Sequence, residues 1–262
     1  MIVTNRQHVV SSFMVVKGAL IHETYEVLAQ WDLNLDKRTN LDRLRGENYI
    51  GARSNNWLRD VAKVINRRLD PDGRDRPLVV LARGGLPLEE WKPILLWHMT
   101  RDEFLLRDFL INWLFDAYQQ GIYRVAPEDL VDFLGSIGER GGQTEHEWTE
   151  STVKRVSAGL LKMAADFGLL TGGTAKEFAH YHVPERSVTY LIRAILKQEA
   201  GSAERMLASA DWRMYFMSED DVTNELLRLH QFRRLEFEQA GSLVQLSLEL
   251  KEPLQFAEEM VA

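Results

Sequence analysis

Residues 149–170, TESTVKRVSAGLLKMAADFGLL, have the periodicity of an amphipathic helix whose solvent face is basic. One side of the helical wheel is apolar and consists of Val153, Val156, Leu160, Ala164 and Phe167. The opposite side carries Ser151, Lys154, Arg155, Ala158 and Lys162. Thr149 is a suitable N-cap, Glu150 places an acid in the first turn, and Gly168 stands where a glycine ends a helix. The segment therefore predicts a capped helix with one basic face.

The elements on either side of this helix predict a winged-helix-like unit. A shorter helix is predicted to begin at Pro127, and residues 169–173 lead into an extended stretch over 177–183. A helix, a connection, a basic helix and a hairpin follow one another in winged-helix domains, where the second helix enters the major groove with its N-terminal half. Small residues such as Ser151 and Ala158 would let the backbone approach the bases closely. The alternative is an ordinary surface helix with solvated lysines.

Composition limits the classes of protein to which the chain can belong. The 262 residues are 45% hydrophobic and include seven tryptophans, which is enough to bury a substantial core. The absence of cysteine excludes disulfides, thiolate metal sites and a cysteine nucleophile, and fits a cytoplasmic location. No uncharged stretch is long enough to span a membrane, and the first residues lack a secretion signal, so no membrane contact is expected. A net charge of −7 argues against coating of nucleic acid by a global positive field, so any such binding must use local basic patches.

A second basic patch is predicted in residues 52–69, ARSNNWLRDVAKVINRRL. The expected buried stripe is Leu58, Val61, Ala62, Ile65 and Leu69, and the residues facing away from it are Arg53, Asn56, Arg59, Lys63 and Arg67. With Arg68, the segment has five cations against the single acid Asp60. A helix over 21–30 precedes this basic helix, separated from it by a polar linker over 34–40 and the segment 41–49, and the two would form a small helix-turn-helix unit. The alternative is an arginine-rich helix that pairs with acids elsewhere in the chain.

The middle of the chain is the most apolar part. Residues 86–123 predict two packed core helices, and core packing is favoured over a ligand pocket lined by the same aromatic rings. Residues 71–85 are interpreted as a linker with a brief strand or helical turn. Further helices are predicted over 187–198 and 219–230, followed by a β-hairpin around Ala240 and Gly241. Arg228, Arg233 and Arg234 lie at the junction of helix and hairpin, where they would be in a position to touch phosphate.

Sequence signals for catalysis are sparse. The chain contains no phosphate-binding loop, zinc-protease motif, nucleophile elbow or dinucleotide-binding glycine triplet. His180 and His182 would share one face of a strand, with Glu177 nearby, but two histidines without a further ligand make a weak metal site. We therefore expect no cofactor and no enzymatic activity.

Five segments together resemble the BrxA family of bacterial BREX phage-defence systems. They are SSFMVVKGALIHETYEVLAQW (11–31), NYIGARSNNWLRDVAKVINRRL (48–69), LLRDFLINWLFDAY (105–118), ESTVKRVSAGLLKMAADFGLL (150–170) and DWRMYFMSEDDVTNELLRLHQFRRLEFEQAGSLVQLSLEL (211–250). The order of the segments is more specific than any one of them. The resemblance implies a small non-enzymatic component encoded beside a methyltransferase, an alkaline-phosphatase-like protein and ATPases, with likeness to the antitermination factor NusB and with suspected DNA binding.

The expected fold is mainly α, multi-helical, with helix-turn-helix or winged-helix-like units and short C-terminal β-hairpins. Four units are predicted: an N-terminal helical unit (1–75), an aromatic helical core (76–125), a winged-helix-like unit (126–200) and a helix with a hairpin (201–262). The expected function is binding of double-stranded DNA, with phosphate contacts from Arg53, Arg59, Lys63, Arg67, Lys154, Arg155 and Lys162 and base-edge contacts from Asn56 and Ser151. Alternatives are an adaptor that docks other BREX proteins through the same helices, and RNA binding of the NusB type.

Overall fold

The computed structural model describes residues 8–144, 146–241 and 243–262, and the fold is mainly α, as predicted. The helices are α1 (Ser12–Lys17), α2 (Ile21–Ala29), α3 (Lys37–Glu47), α4 (Asn55–Arg68), α5 (Arg76–Arg83), α6 (Leu88–Met99), α7 (Phe104–Asp108), α8 (Phe115–Gln119), α9 (Val131–Gly135), α10 (Glu150–Asp166), α11 (Glu185–Gln198), α12 (Ala203–Leu207), α13 (Glu219–Gln231) and α14 (Pro253–Met260). The strands are β1 (Val9–Val10), β2 (Arg124–Val125), β3 (Gln143–Thr144), β4 (Leu170–Thr171), β5 (Lys176–Phe178), β6 (Glu236–Ala240) and β7 (Leu243–Ser247).

The two predicted core helices are confirmed. The first is α6, and the second runs through α7, a π-helical segment over Phe109–Leu114, and α8 without a break in the helical backbone. The rings of Phe109 and Trp113 stack at 5.6 Å between centroids, and both pack near Phe133. The aromatic side chains of this region therefore fill the core.

The core is centred on α11, which is buried on nearly all sides. Every residue from Ser187 to Leu196 is buried, and the helix packs against α6 and α14. The predicted apolar face of Val188, Leu191, Ile192 and Ile195 is confirmed, but the remaining faces are covered as well. Buried side chains from all four predicted units belong to one hydrophobic cluster, and the division into units stays a prediction.

The interpretation of residues 71–85 as a linker is wrong. Pro77 lies in the first turn of α5, and Leu78, Val79 and Leu81 are completely buried where this helix packs against α2, α6 and α14. Pro77 is a sequence signal for the start of a helix, which the interpretation from the four apolar residues 78–81 leaves out. The predicted polar linker over 34–40 is likewise partly helical, because Asp36 caps α3 by accepting a hydrogen bond from the Thr39 amide at 2.8 Å.

A three-stranded sheet lies beside α10. The antiparallel hairpin of β4 and β5 confirms the predicted hairpin, and β2 adds a third strand that the sequence did not predict. The strands lie in the order β2–β5–β4, with Arg124 opposite Glu177 and Leu170 opposite Phe178. The predicted short helix begins at Pro127 as a 3-10 turn and continues as α9.

The C-terminal part contains the predicted helix, α13, and the predicted hairpin of β6 and β7, followed by α14. Arg228 and Arg234 both form ion pairs with Glu185, at 3.2 and 3.0 Å, and Arg228 also pairs with Glu225. These two cations are ion-paired in the unbound protein, and their contact with phosphate stays a prediction. None of the described helices has the length and apolar character needed to cross a lipid bilayer.

The buried carboxylate of Asp211 contacts side chains from the end of α6, the turn that follows it, and α7. Asp211 accepts hydrogen bonds from Arg101 at 2.8 Å, from Arg107, and from the Trp97 indole at 2.9 Å. Burial alone would raise the pKa of Asp211, but the charges of the two arginines lower it to about 2. The carboxylate is thus ionised in the folded protein even in moderately acid solution.

We expect Asp211→Asn to lower the free energy of unfolding by about 3–5 kcal/mol at pH 7, because two buried guanidinium groups lose their counter-charge. Since the folded-state pKa is depressed, the stabilisation by Asp211 is fully present above pH 3.8 and is lost as pH falls through about 2. Urea unfolding at pH 7 and across pH 2–4 measures both effects. Asp220→Asn, at an exposed position of α13, is the control. Equal unfolding midpoints for the two variants would contradict the assignment.

Candidate nucleic-acid interface

Helix α10 has the boundaries and faces that the sequence predicts. The Thr149 hydroxyl accepts a hydrogen bond from the Thr152 amide, and Gly168 adopts a left-handed conformation with φ of 84° just after the last turn. Val156, Leu160, Ala164 and Phe167 are buried, and Val153 is half-buried. The residues on the opposite face are exposed: Ser151, Lys154, Arg155, Ala158 and Lys162.

Two cations of α10 are free of counter-charges. Lys154 and Arg155 form no ion pair with any described residue, whereas Lys162 lies 3.2 Å from Asp166. Lys154 and Lys162 are separated by about 12 Å along the helix axis, at about 1.5 Å per residue. The exposed face of α10 is therefore a positive stripe in a protein that is acidic overall.

Helix α4 also follows the prediction over most of its length. The Ser54 hydroxyl accepts a hydrogen bond from the Trp57 amide at 3.2 Å and caps the helix. The predicted apolar stripe is buried, and Arg53, Asn56, Arg59 and Lys63 are exposed. The Arg59 guanidinium donates a hydrogen bond to the Asn56 side chain, and the Lys63 ammonium lies 4.3 Å from the centroid of the Phe13 ring.

The last two arginines of α4, Arg67 and Arg68, are less exposed than the sequence predicts. Arg68 is buried and donates hydrogen bonds to Glu103 at 3.1 Å and to the carbonyls of Met14, Gly18 and Ala19 at 2.7–3.2 Å. The surface of α4 therefore carries one positive charge fewer than the sequence count, because Arg68 is buried and paired with Glu103. Arg67 is half-buried and donates a hydrogen bond to the Val9 carbonyl at 2.6 Å. It is thus available to a ligand only in part.

Helix α1 connects α4 to α10, which the sequence did not predict. It packs on α10 at Gly159, where an added Cβ would lie 2.9 Å from Cγ1 and 3.0 Å from the backbone oxygen of Val15. Only a glycine therefore permits the observed approach of the two helices. On its other side, α1 is held by the hydrogen bonds of Arg68.

Lysine residues converge around the end of α1. Lys17 forms an ion pair with Asp60 of α4 at 2.5 Å and lies within 6 Å of the ring centroids of Phe13 and Trp57. The Lys162 ammonium lies beside Gly18, 3.4 Å from the position that a Cβ would take. The exposed cations of α4 and α10, with α1 between them, are called the basic face below: Arg53, Arg59, Lys63, Lys154, Arg155 and Lys162.

The basic face is suited to polyanions. All of its cations except Arg53, which directly precedes the N-cap Ser54, lie on capped helices, so little backbone order has to be gained when they meet phosphates. The nearby carboxylates of Asp60 and Asp166 are paired with Lys17 and Lys162. Lys17 is the residue that sequence reasoning missed, because its position beside α4 depends on tertiary packing.

The histidines singled out from the sequence lie at the surface. Glu177 accepts a hydrogen bond from the Tyr123 hydroxyl at 3.0 Å, and His180 and His182 are exposed. Within residues 8–144, 146–241 and 243–262, no group of three or more acidic or histidine side chains is placed to hold a metal ion.

A protein-family model described as BrxA matches residues 11–194 of the chain. The matched range contains α1, α4 and α10 and therefore the whole basic face. A search of curated proteins finds no similar sequence.

We expect Gly159→Ala to lower the free energy of unfolding by about 1–3 kcal/mol, because the new methyl group forces α1 away from α10. Alanine would otherwise favour a helix over glycine by up to about 1 kcal/mol. Gly46→Ala in α3 is the matched control, since no atom lies within 4 Å of its added Cβ, and it should be neutral or stabilising. Chemical denaturation of the two variants measures the difference. A stabilised Gly159→Ala protein would mean that the two helices are not in close contact.

Proposed function

Since the chain belongs to the BrxA family and is a component of a BREX phage-defence system, we propose that it binds double-stranded DNA through the basic face. The observation that carries the proposal is the exposed basic stripe of α10 in its structural context, since Lys154 and Arg155 of this stripe form no ion pair with a described residue. The helix follows α9 and precedes a hairpin, and the sheet order is β2–β5–β4. The succession of α8, β2, α9, α10, β4 and β5 corresponds to that of a winged-helix domain, in which the helix equivalent to α10 reads the major groove.

The side chains on α10 suit this role. Ser151 and Ala158 are small and exposed, so the helix backbone can approach the base edges. The Ser151 hydroxyl is able to donate to or accept from a base, and Lys154 and Arg155 extend from the same face toward phosphates. The turn between β4 and β5 begins with two glycines, Gly172 and Gly173, and is exposed, so it is free to lie beside the backbone of the duplex.

Helix α4 would supply a second set of phosphate contacts. Arg53, Arg59 and Lys63 are exposed and form no ion pair with the described residues. Asn56 presents the amide that prefers adenine, although in the unbound protein it accepts a hydrogen bond from Arg59. Arg67 contributes less, because it also holds the Val9 carbonyl.

The net negative charge of the chain means that its affinity for DNA should depend strongly on salt concentration. With a net charge of −7, the protein repels DNA except at the basic face, so affinity depends on local counterion release. For about five to seven phosphate contacts, log K against log salt should have a slope of about −4.5 to −6. The same cations would also fit an acidic surface of another BREX protein, which is the competing adaptor function.

We expect fluorescence anisotropy with a labelled 20-base-pair duplex to show binding with this salt slope, and weaker binding to the matching single strand and RNA. Arg59→Glu combined with Lys63→Glu should abolish duplex binding, because two attractive contacts become repulsive. Arg83→Glu combined with Lys251→Glu makes the same charge change at exposed positions outside the basic face and is the control. The control variant should lose little affinity.

The pair Lys154→Glu and Arg155→Glu tests whether both helices meet one duplex. Loss of binding in both double variants supports a joint surface, and normal binding in either restricts the site to the other helix. If the wild-type protein binds no duplex at low salt, while a reversed variant fails to capture its BREX partners, the adaptor function replaces the proposal. Tighter binding to RNA than to DNA would instead favour a NusB-like role.

A further inference from the structure

A cavity of about 400 Å³ lies away from the basic face, between the start of α5, the end of α6, α11 and the start of α14. Its apolar walls are Pro77, Trp97, Ala194, Pro253 and Leu254. None of the residues of the basic face lines it. The volume is in the range of small-molecule sites, which are concave, mostly apolar and provided with a few polar groups.

All charged side chains that line the cavity are cations: Arg74, Arg76, Arg101 and Lys197. The carboxylates that pair with three of them do not line it: Arg74 pairs with Asp75 and Asp102, Arg101 with Asp211, and Lys197 with Glu252. The cavity is thus lined by these cations and not by the carboxylates that neutralise them. The protein as a whole has more acidic than basic residues, but the charged side chains that line this cavity are basic.

Arg76 differs from the other three cations. It is half-buried, and its guanidinium forms no hydrogen bond or ion pair with the described residues. Because this guanidinium has no counter-charge among the described residues, a phosphate in the cavity would give it charge-assisted hydrogen bonds. The side chain of Lys197 is 45% exposed, which places this second cation near the mouth of the cavity.

The polar wall of the cavity is held rigid by a buried hydrogen-bond chain. Nδ1 of His98 lies 2.7 Å from Asp75 Oδ1, and Nε2 of His98 lies 2.7 Å from the Tyr190 hydroxyl. Because the Asp75 carboxylate accepts, Nδ1 carries the proton, and Nε2 accepts from Tyr190. Burial lowers the pKa of His98 and raises that of Tyr190, so both groups stay neutral. The wall therefore adds no negative charge where it meets a ligand.

We propose that this cavity binds a small organic phosphate. Its phosphate group would lie between Arg76 and Lys197 near the mouth, and its apolar body would lie against Pro77, Trp97 and Leu254. Arginine is suited to this task because its planar guanidinium donates two parallel hydrogen bonds to phosphate oxygens. A cavity of about 400 Å³ is too small for a duplex, so the ligand is a small molecule and the site is separate from the DNA-binding proposal.

The test is isothermal titration calorimetry of the full-length chain with phenyl phosphate, and with benzyl alcohol as the neutral ligand of similar shape. We expect phenyl phosphate to bind and benzyl alcohol to bind much more weakly. Arg76→Ala should weaken phenyl phosphate binding about tenfold, which corresponds to one lost charge-assisted contact. Arg83→Ala, at the exposed far end of the same helix, is the matched control and should leave the affinity unchanged.

Lys197→Met provides a second, independent variant that keeps the side-chain stem and removes the charge. The double variant Arg59→Glu and Lys63→Glu separates this proposal from the previous one, since it should lose duplex DNA and retain phenyl phosphate. Absence of phenyl phosphate binding at millimolar concentration would overturn the proposal. Equal affinities for the phosphate and the alcohol, or an affinity unchanged by both Arg76→Ala and Lys197→Met, would overturn it too.

Discussion

The buried guanidinium of Arg68 is the interaction on which the arrangement of the N-terminal half depends. Helix α1 has only six residues and is too short to be stable alone, and its last carbonyls have no partner within the helix. Arg68 satisfies the carbonyls of Met14, Gly18 and Ala19 and is itself neutralised by Glu103. Arg68, which the sequence pattern assigns to a basic segment, is thus a buried residue that holds α1 in place. Because α1 is fixed to α4 on one side and to α10 on the other, the two basic helices have a defined relative position.

Each buried cation has its polar partners inside the protein. Arg101 pairs with Asp211 and Arg68 pairs with Glu103, because a charge without partners is costly in the interior. Arg193 instead donates hydrogen bonds to the carbonyls of Thr189 and Leu250. Exposed cations without an ion pair to a described residue occur on α4 and α10, as with Lys63 and Lys154, and also elsewhere in the chain, as with Arg83. The overall negative charge therefore says little about local binding. Local binding depends instead on cations that have no acidic partner, such as Arg76, which lines a cavity.

Elements with strong local signals were predictable from sequence. Helices α4, α10 and α13 have hydroxyl N-caps and clear periodicity, and the glycines at 168 and 241 mark real turns. Elements defined by tertiary contact were not: α5 has only eight residues, β2 has two, and α1 depends on Arg68 and Gly159. The same limit applies to the candidate site. Exposure of Arg59 and Lys154 follows from the helical wheel, but the burial of Arg68 and the place of Lys17 depend on which helices become neighbours, which one sequence cannot specify.

The short parallel pairing of β1 with β3 links parts of the chain that are far apart in sequence. Arg67 holds β1 through the Val9 carbonyl, β1 pairs with Gln143 and Thr144, and these residues precede the start of α10. The His8 ring also lies 3.1 Å from the Gly141 carbonyl. The end of α4 is thereby linked, through a two-residue strand, to the segment that leads to α10. Loss of the first strand would break this link between the two basic helices.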